Sequence, residues 1–164
     1  MAVHPQSALA LAGSAPTPSA QPSIRVVLAD DHAGMRRSLR LLLDGDDMIE
    51  VVAEAGDLLT VMRDVHACVP RVLVIDLSMS NGSSLEAIRK LRKRVPGTQI
   101  VVLTMEESAV FAQHALDAGA LGFVIKHTAD AELVEGVRSA ARGEEYISPR
   151  VAARLALRRR LLEI

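Results

Sequence analysis

The chain has 164 residues, with 19 Lys and Arg against 20 Asp and Glu and a formal net charge of −1, a length that suits one domain with a core of its own. The balanced charge supplies no global basic field for a nucleic acid or a membrane, and no apolar run approaches the roughly 18 residues of a membrane span. A lone cysteine, Cys68, cannot form an internal disulfide, and a reducing cytoplasm is the expected compartment.

Residues 1–23, MAVHPQSALALAGSAPTPSAQPS, are rich in Ala, Pro and Ser. They lack the Lys or Arg that a secretory signal carries before its apolar patch, and read as a disordered tail.

After this tail the chain becomes periodic. Short stretches rich in Val, Ile and Leu start at Ile24 (IRVVLA), Ile49 (IEVVAEA), Val72 (VLVID), Gln99 (QIVVLT) and Leu121 (LGFVI), 22 to 27 residues apart. Between them, apolar residues recur at helical spacing: Met35, Leu39, Leu42 and Leu43; Leu58, Leu59, Met62 and Val65; Leu85, Ile88 and Leu91; Val110, Phe111, Ala115 and Leu116. Leu133, Val134 and Val137 give a fifth helical face after the last strand. Pro70, Pro96 and Gly119 fall where the second, third and fourth helices should stop. Strand and helix alternating at this length predict a parallel sheet with helices on both faces, and runs such as VVL and VLVI suit strands covered on both sides. The expected fold is α/β, a doubly wound, flavodoxin-like five-stranded parallel sheet of strand order 2-1-3-4-5.

That order brings the polar strand ends together. Asp30 and Asp31 follow the first strand, Asp76 ends the third, Thr104 the fourth and Lys126 the fifth. The first and third strands are neighbours at the topological switch point, where open sheets of this kind bind ligands. Three carboxylates about 6 Å apart repel by roughly 3 kcal/mol per pair at an effective dielectric of about 20, so the cluster calls for a cation. Oxygen donors without paired His or Cys indicate Mg²⁺ or Mn²⁺ rather than zinc, with one of Asp30 and Asp31 binding directly and the other partly through water. With such an ion and the Lys126 ammonium the charges sum to about zero, which makes the edge a receptacle for a phosphoryl group. Asp76, ending the central strand, is the expected nucleophile. Lys126 and Thr104 can then bind phosphoryl oxygens.

These motifs resemble the receiver domain of bacterial two-component response regulators over roughly residues 24–143: VVLADDH the acidic pair, VLVIDLSM the phosphoacceptor strand, VVLTM the switch strand, AGALGFVIK the aromatic-plus-lysine strand. The wording is most similar to the subfamily with a LuxR-type helix-turn-helix output. The resemblance implies phosphorylation of Asp76 by a sensor histidine kinase, and a metal site made of Asp30, Asp31, Asp76 and the backbone carbonyl of Ser78. It also implies a switch pair, in which Thr104 shifts toward the phosphoryl group and the Phe123 ring moves inward. Such a chain catalyses at most its own phosphoryl transfer and dephosphorylation, and regulates transcription only within a longer parent.

The sequence departs from the family at Ser80, where Pro is common, at Ser84, where Gly is common, and at His127, where many relatives have Pro. Losing that Pro frees the loop beside Asp76, and His127 reads as a solvated loop residue. Residues 144–164 read as a C-terminal linker helix. From residue 149 on, Val151, Leu155 and Leu162 share one side, with Arg154, Arg158, Arg159 and Arg160 at exposed positions. Aromatic residues are few and no helix-turn-helix follows within these residues, so the chain alone is not expected to read a DNA sequence. A homodimer formed on phosphorylation is the expected association. An aspartyl-nucleophile phosphatase of haloacid-dehalogenase type is the alternative, yet such enzymes carry a second Asp two residues after the nucleophile, where this chain has Ser78. A nucleotide-binding module would need a Gly-rich phosphate loop that the sequence lacks.

Overall fold

Several helix boundaries follow from local chemistry. A computed structural model of the chain describes residues 23–164, and the tail expected over residues 1–23 therefore lies, but for Ser23, outside the described residues. The elements run β1 (Ile24–Ala29), α1 (Ala33–Asp44), β2 (Ile49–Ala55), α2 (Leu58–Cys68), β3 (Val72–Asp76), α3 (Ser84–Arg94), β4 (Gln99–Thr104), α4 (Ala109–Ala118), β5 (Gly122–Ile125), a 3₁₀ turn at Lys126–Thr128, α5 (Ala129–Ala141), β6 (Tyr146–Ile147) and α6 (Pro149–Leu162). Three helix starts are capped by side chains: Asp57 accepts from the Thr60 amide, Ser83 from the Glu86 amide, and Ser108 from the amides of Val110 and Phe111. Helix α3 ends in Arg92, Lys93 and Arg94, cations at the negative end of the helix dipole. Helix α4 ends at Gly119 with φ of 113°, and a Cβ there would stand 2.5 Å from Arg92 Cγ. Only glycine meets both conditions.

All neighbouring strands are parallel, in the order β2-β1-β3-β4-β5-β6. Two apolar layers sandwich the sheet. Leu39 and Leu43 of α1 and Leu133, Val137 and Ala140 of α5 pack on one face with Val26, Leu28, Val72 and Val74. On the other face α2, α3 and α4 bring Val61, Val65, Ile88, Leu91 and Ala115 against Val27, Leu73, Ile75 and Phe123. Strand β3 is buried along its whole length, as its unbroken VLVI run requires.

The sheet has six strands, not the expected five. Tyr146 and Ile147 pair in parallel with Gly122 and Phe123, so the start of the segment read as a linker helix extends the sheet. Two half-buried residues carry no alternating pattern to reveal a strand. Hydrogen bonds fix it: the Tyr146 amide donates to the Leu121 carbonyl at 3.1 Å, and the Ser148 amide to the Phe123 carbonyl at 2.8 Å. The extra strand covers what would otherwise be an open edge of β5. The turn leading to it passes through Gly143 at φ of 77°.

Helix α6 then packs on α4, with Val151 and Leu155 buried as the sequence indicates. Leu162, expected on the same side, is 73 % exposed because α6 is ending there. Arg154, Arg159 and Arg160 are exposed, whereas Arg158 is half-buried.

Candidate functional site

Register aligns the carboxylates before any side chain is considered. Ala29 pairs with Ile75, so Asp30 and Asp76 lie side by side at the ends of β1 and β3. Asp76 pairs with Leu103 and Thr104 with Ile125, so Lys126 emerges one residue beyond Thr104 at the same edge. Asp30 and Asp76 are buried, unlike ordinary aspartates at strand ends.

Lys126 makes that burial tolerable. Its Nζ donates to Asp30 Oδ2 at 2.7 Å and to Asp76 Oδ2 at 2.8 Å, with the lysine side chain 6 % exposed. Burial acts most strongly on the ammonium and pulls its pKa down. The hydrogen bonds and charges of Asp30 and Asp76 together outweigh that pull and hold it above the ordinary 10.5.

The remaining carboxylate oxygens are arranged by the loops. Asp30 Oδ1 accepts from the His32 amide at 2.8 Å. Asp76 Oδ1 accepts from both the amide and the hydroxyl of Ser78, each at 3.0 Å. Asp76 Oδ2 carries the lysine alone and keeps a lone-pair direction open. The buried hydroxyl of Ser84, at the start of α3, donates to the Asp76 backbone carbonyl at 3.1 Å. A glycine there could not make this contact.

Asp31 stands at the rim. Its Oδ2 accepts from Ser80 Oγ at 2.8 Å. That bond is the main cause holding its carboxyl below the usual 3.8, helped by the nearby His32 and opposed by partial burial. Asp31 Oδ1 is shielded from solvent and has no hydrogen-bond donor. His32 Nδ1 lies 2.9 Å away without the alignment of a hydrogen bond.

Asp30, Asp31, His32 and Asp76 each present a ligand atom within 4.8 Å of the others. Three carboxylates against one ammonium leave a formal charge of −2, which a divalent cation would neutralise. Asp31 Oδ1 makes no hydrogen bond and has only the exposed His32 ring beside it, and a donor set led by carboxylates fits a hard ion. The residues present therefore fit a divalent cation.

Thr104 and Phe123, the expected switch pair, lie on neighbouring strands β4 and β5. Thr104 is buried, and its Oγ1 accepts from the Glu106 amide at 3.0 Å, which leaves the hydroxyl proton for another acceptor. The Phe123 ring is fully enclosed, in one apolar cluster with Ala112, Ala115 and Val151. His127 is exposed, as expected. The sequence reading missed the Ser80 and Ser84 contacts. Their only signal was a pair of serines at the two positions noted above as departures from the pattern the sequence resembles.

The family model for the response regulator receiver domain matches residues 26–138. The oxygen regulatory protein NreC of Staphylococcus carnosus is 37 % identical over 133 residues, which cover 80 % of this chain and 61 % of that protein. The chain thus spans about three fifths of the length of the curated relatives it matches. Among solved structures, a LuxR-family two-component response regulator from Aurantimonas sp. superposes with a TM-score of 0.80 at 33 % identity, over 84 % of this chain and 98 % of that one. A structure of two RcsB dimers bound to two parallel DNAs matches with a TM-score of 0.75 at 26 % identity, over 82 % of this chain and 68 % of that one. Nothing here supports the aspartyl-phosphatase alternative, whose second Asp is replaced by a serine bonded to Asp76 itself. On its fold, its acidic edge and a match over more than half its length, the chain belongs to the response regulator receiver domain family.

Proposed function

We propose that Asp76 accepts a phosphoryl group from a phosphohistidine of a sensor histidine kinase, in a reaction that requires Mg²⁺ or Mn²⁺ held by Asp30, Asp31, Asp76 and the Ser78 backbone carbonyl. The observation that carries this reading is the state of the three carboxylates. Lys126 bridges two of them at 2.7 and 2.8 Å, while the third keeps a buried oxygen without a donor.

In the transfer, Asp76 Oδ2 attacks phosphorus in line. An O–P bond forms as the P–N bond of the phosphohistidine breaks, and the departing imidazole keeps the electron pair. A divalent cation held by Asp30, Asp31, Asp76 and the Ser78 carbonyl would supply charge neutralisation for the transferring group. Lys126 turns from the Asp76 carboxylate to a phosphoryl oxygen, and the Thr104 hydroxyl donates to another. Only the phosphorylated state offers Thr104 that dianionic acceptor, so its movement is favoured there.

Phe123 passes the change on. Its own carbonyl accepts from the Ser148 amide, and Ser148 Oγ accepts from the Ile125 amide at 3.0 Å. A shift of β5 is thereby felt at β6 and α6. We take the outcome to be homodimerisation, with transcriptional control in a longer parent chain and no sequence-specific DNA binding by these residues alone. Among the described residues no helix is long and apolar enough to cross a membrane, and we assign the chain to the cytoplasm.

Intact mass spectrometry after incubation with acetyl phosphate tests the reading. One phosphoryl group should be gained with Mg²⁺ and none with excess chelator, and Asp76→Asn should gain none. Undiminished labelling of that variant would overturn the assignment.

A further inference from the structure

The loop from Leu77 to Ser83 reaches across the site to the carboxylate that Lys126 does not hold. Its Met79 side chain is buried, which anchors the loop. Asn81 and Gly82 follow at φ of 68° and 134°, so the backbone turns sharply before α3 begins. Between anchor and turn, Ser80 presents its hydroxyl to Asp31 Oδ2 at 2.8 Å, a contact between residues 49 apart in sequence. The terminal torsion of an aspartate is broad and nearly two-fold, so neither oxygen is intrinsically the inner one. A donor fixed on Oδ2 removes that freedom and makes Oδ1 the inner oxygen, a buried atom that makes no hydrogen bond and has only His32 Nδ1, at 2.9 Å, beside it. A buried acceptor without a partner is costly and is held in place only by its surroundings.

We propose that Ser80 is a positioning residue for the cation: its hydroxyl ties Asp31 Oδ2 and so presents Asp31 Oδ1 to the metal. This rests on reading the acidic cluster as a divalent-cation site. Ser80 touches no metal itself and acts through Asp31. A proline at this position could not do the same, because it has neither hydroxyl nor amide hydrogen. The free amide backbone that Ser80 brings to the loop is compensated by a specific tie across the site.

The test is calorimetric titration of Mg²⁺ into the unphosphorylated chain. Ser80→Ala should raise the dissociation constant by about fivefold, the size of one lost hydrogen bond, and Ser80→Thr should restore it to within about twofold. In an Asp31→Ala background, Ser80→Ala should have no further effect, because the two residues act as a unit. The Mg²⁺-free thermal midpoint of Ser80→Ala should fall by no more than the few degrees that one lost hydrogen bond costs, which excludes a general loss of structure. Equal Mg²⁺ affinity of the original chain and Ser80→Ala, or a full additional loss in the Asp31→Ala background, overturns the proposal alone. Failure of the original chain to bind Mg²⁺ overturns the cation reading and the proposal with it.

Discussion

The acidic edge, which Lys126 completes from the end of β5, and the β6–α6 flank beside β5 are held by opposite means. At the edge, Asp30, Asp76 and Lys126 are charged groups out of solvent, stabilised by one another. At the flank, Val151 and Leu155 of α6 are apolar groups out of solvent, stabilised by leaving water. The first arrangement is brittle, since removing one partner leaves the rest uncompensated. The second is local, since α6 packs on α4 and follows the two-residue β6, and can detach without opening the other five strands. One carries chemistry that depends on charge balance, and the other can move.

The largest effect should come from breaking the edge. Lys126→Met leaves two buried carboxylates facing each other and should destabilise the chain by about 3 to 5 kcal/mol in urea unfolding without divalent cations. Added Mg²⁺ should recover part of that loss for the variant. The pKa of Lys126 is raised in the folded state, so its contribution is fully present below the ordinary value of 10.5 and is lost only as pH rises through the higher folded value. On the alkaline side the deficit of the variant should therefore hold from neutral pH through the ordinary lysine range and shrink in strong alkali. A deficit that disappears near neutrality would contradict the ion pair.

A smaller and differently distributed effect is expected at the flank. Leu155→Ala should cost about 2 to 3 kcal/mol, read by amide hydrogen exchange as faster opening of α6 and β6 with β1, β3 and β4 unchanged. Uniformly faster exchange would mean that α6 is part of the cooperative core, and the contrast between the regions would fail.

The contrast also explains what the sequence made legible. Strands β1 to β5 and the helices between them follow from runs such as VLVI and from apolar residues at helical spacing, because each pattern is local. Asp30, Asp31, Asp76, Thr104 and Lys126 could be placed at one edge because the strand order brings strand ends together whatever the loops do. Strand β6 was hidden, since two half-buried residues joined by backbone hydrogen bonds carry no pattern of their own. The tie between Ser80 and Asp31 was hidden for a related reason: a serine in a loop is unremarked until the chain folds it against a residue 49 positions away. The helical pattern marked Val151 and Leu155 as apolar on one side but could not name α4 as what covers them.

The smallest effect sharpens the placement of β6. Tyr146 hydroxyl donates to Glu132 at 3.1 Å; burial, and after it the Glu132 charge, pushes the phenol pKa from 10.0 up to about 12. The stability that Tyr146 contributes as a neutral phenol is thus present below its ordinary value and lost as pH rises through about 12. The chain has one Tyr and no Trp, so ultraviolet titration reads this group alone. A midpoint near 12 fits a seated β6, and one near 10 would mean that it is not held against α5.

The central claim is that the brittle edge exists to phosphorylate one particular carboxylate, and trapping that acyl phosphate tests it most directly. After incubation with acetyl phosphate and Mg²⁺, borohydride reduction converts a phosphorylated aspartate to homoserine, which peptide mass spectrometry locates in the sequence. Homoserine at position 76 and nowhere else is the predicted result; homoserine at position 30 or 31, or at no position despite intact Asp76, would contradict the account.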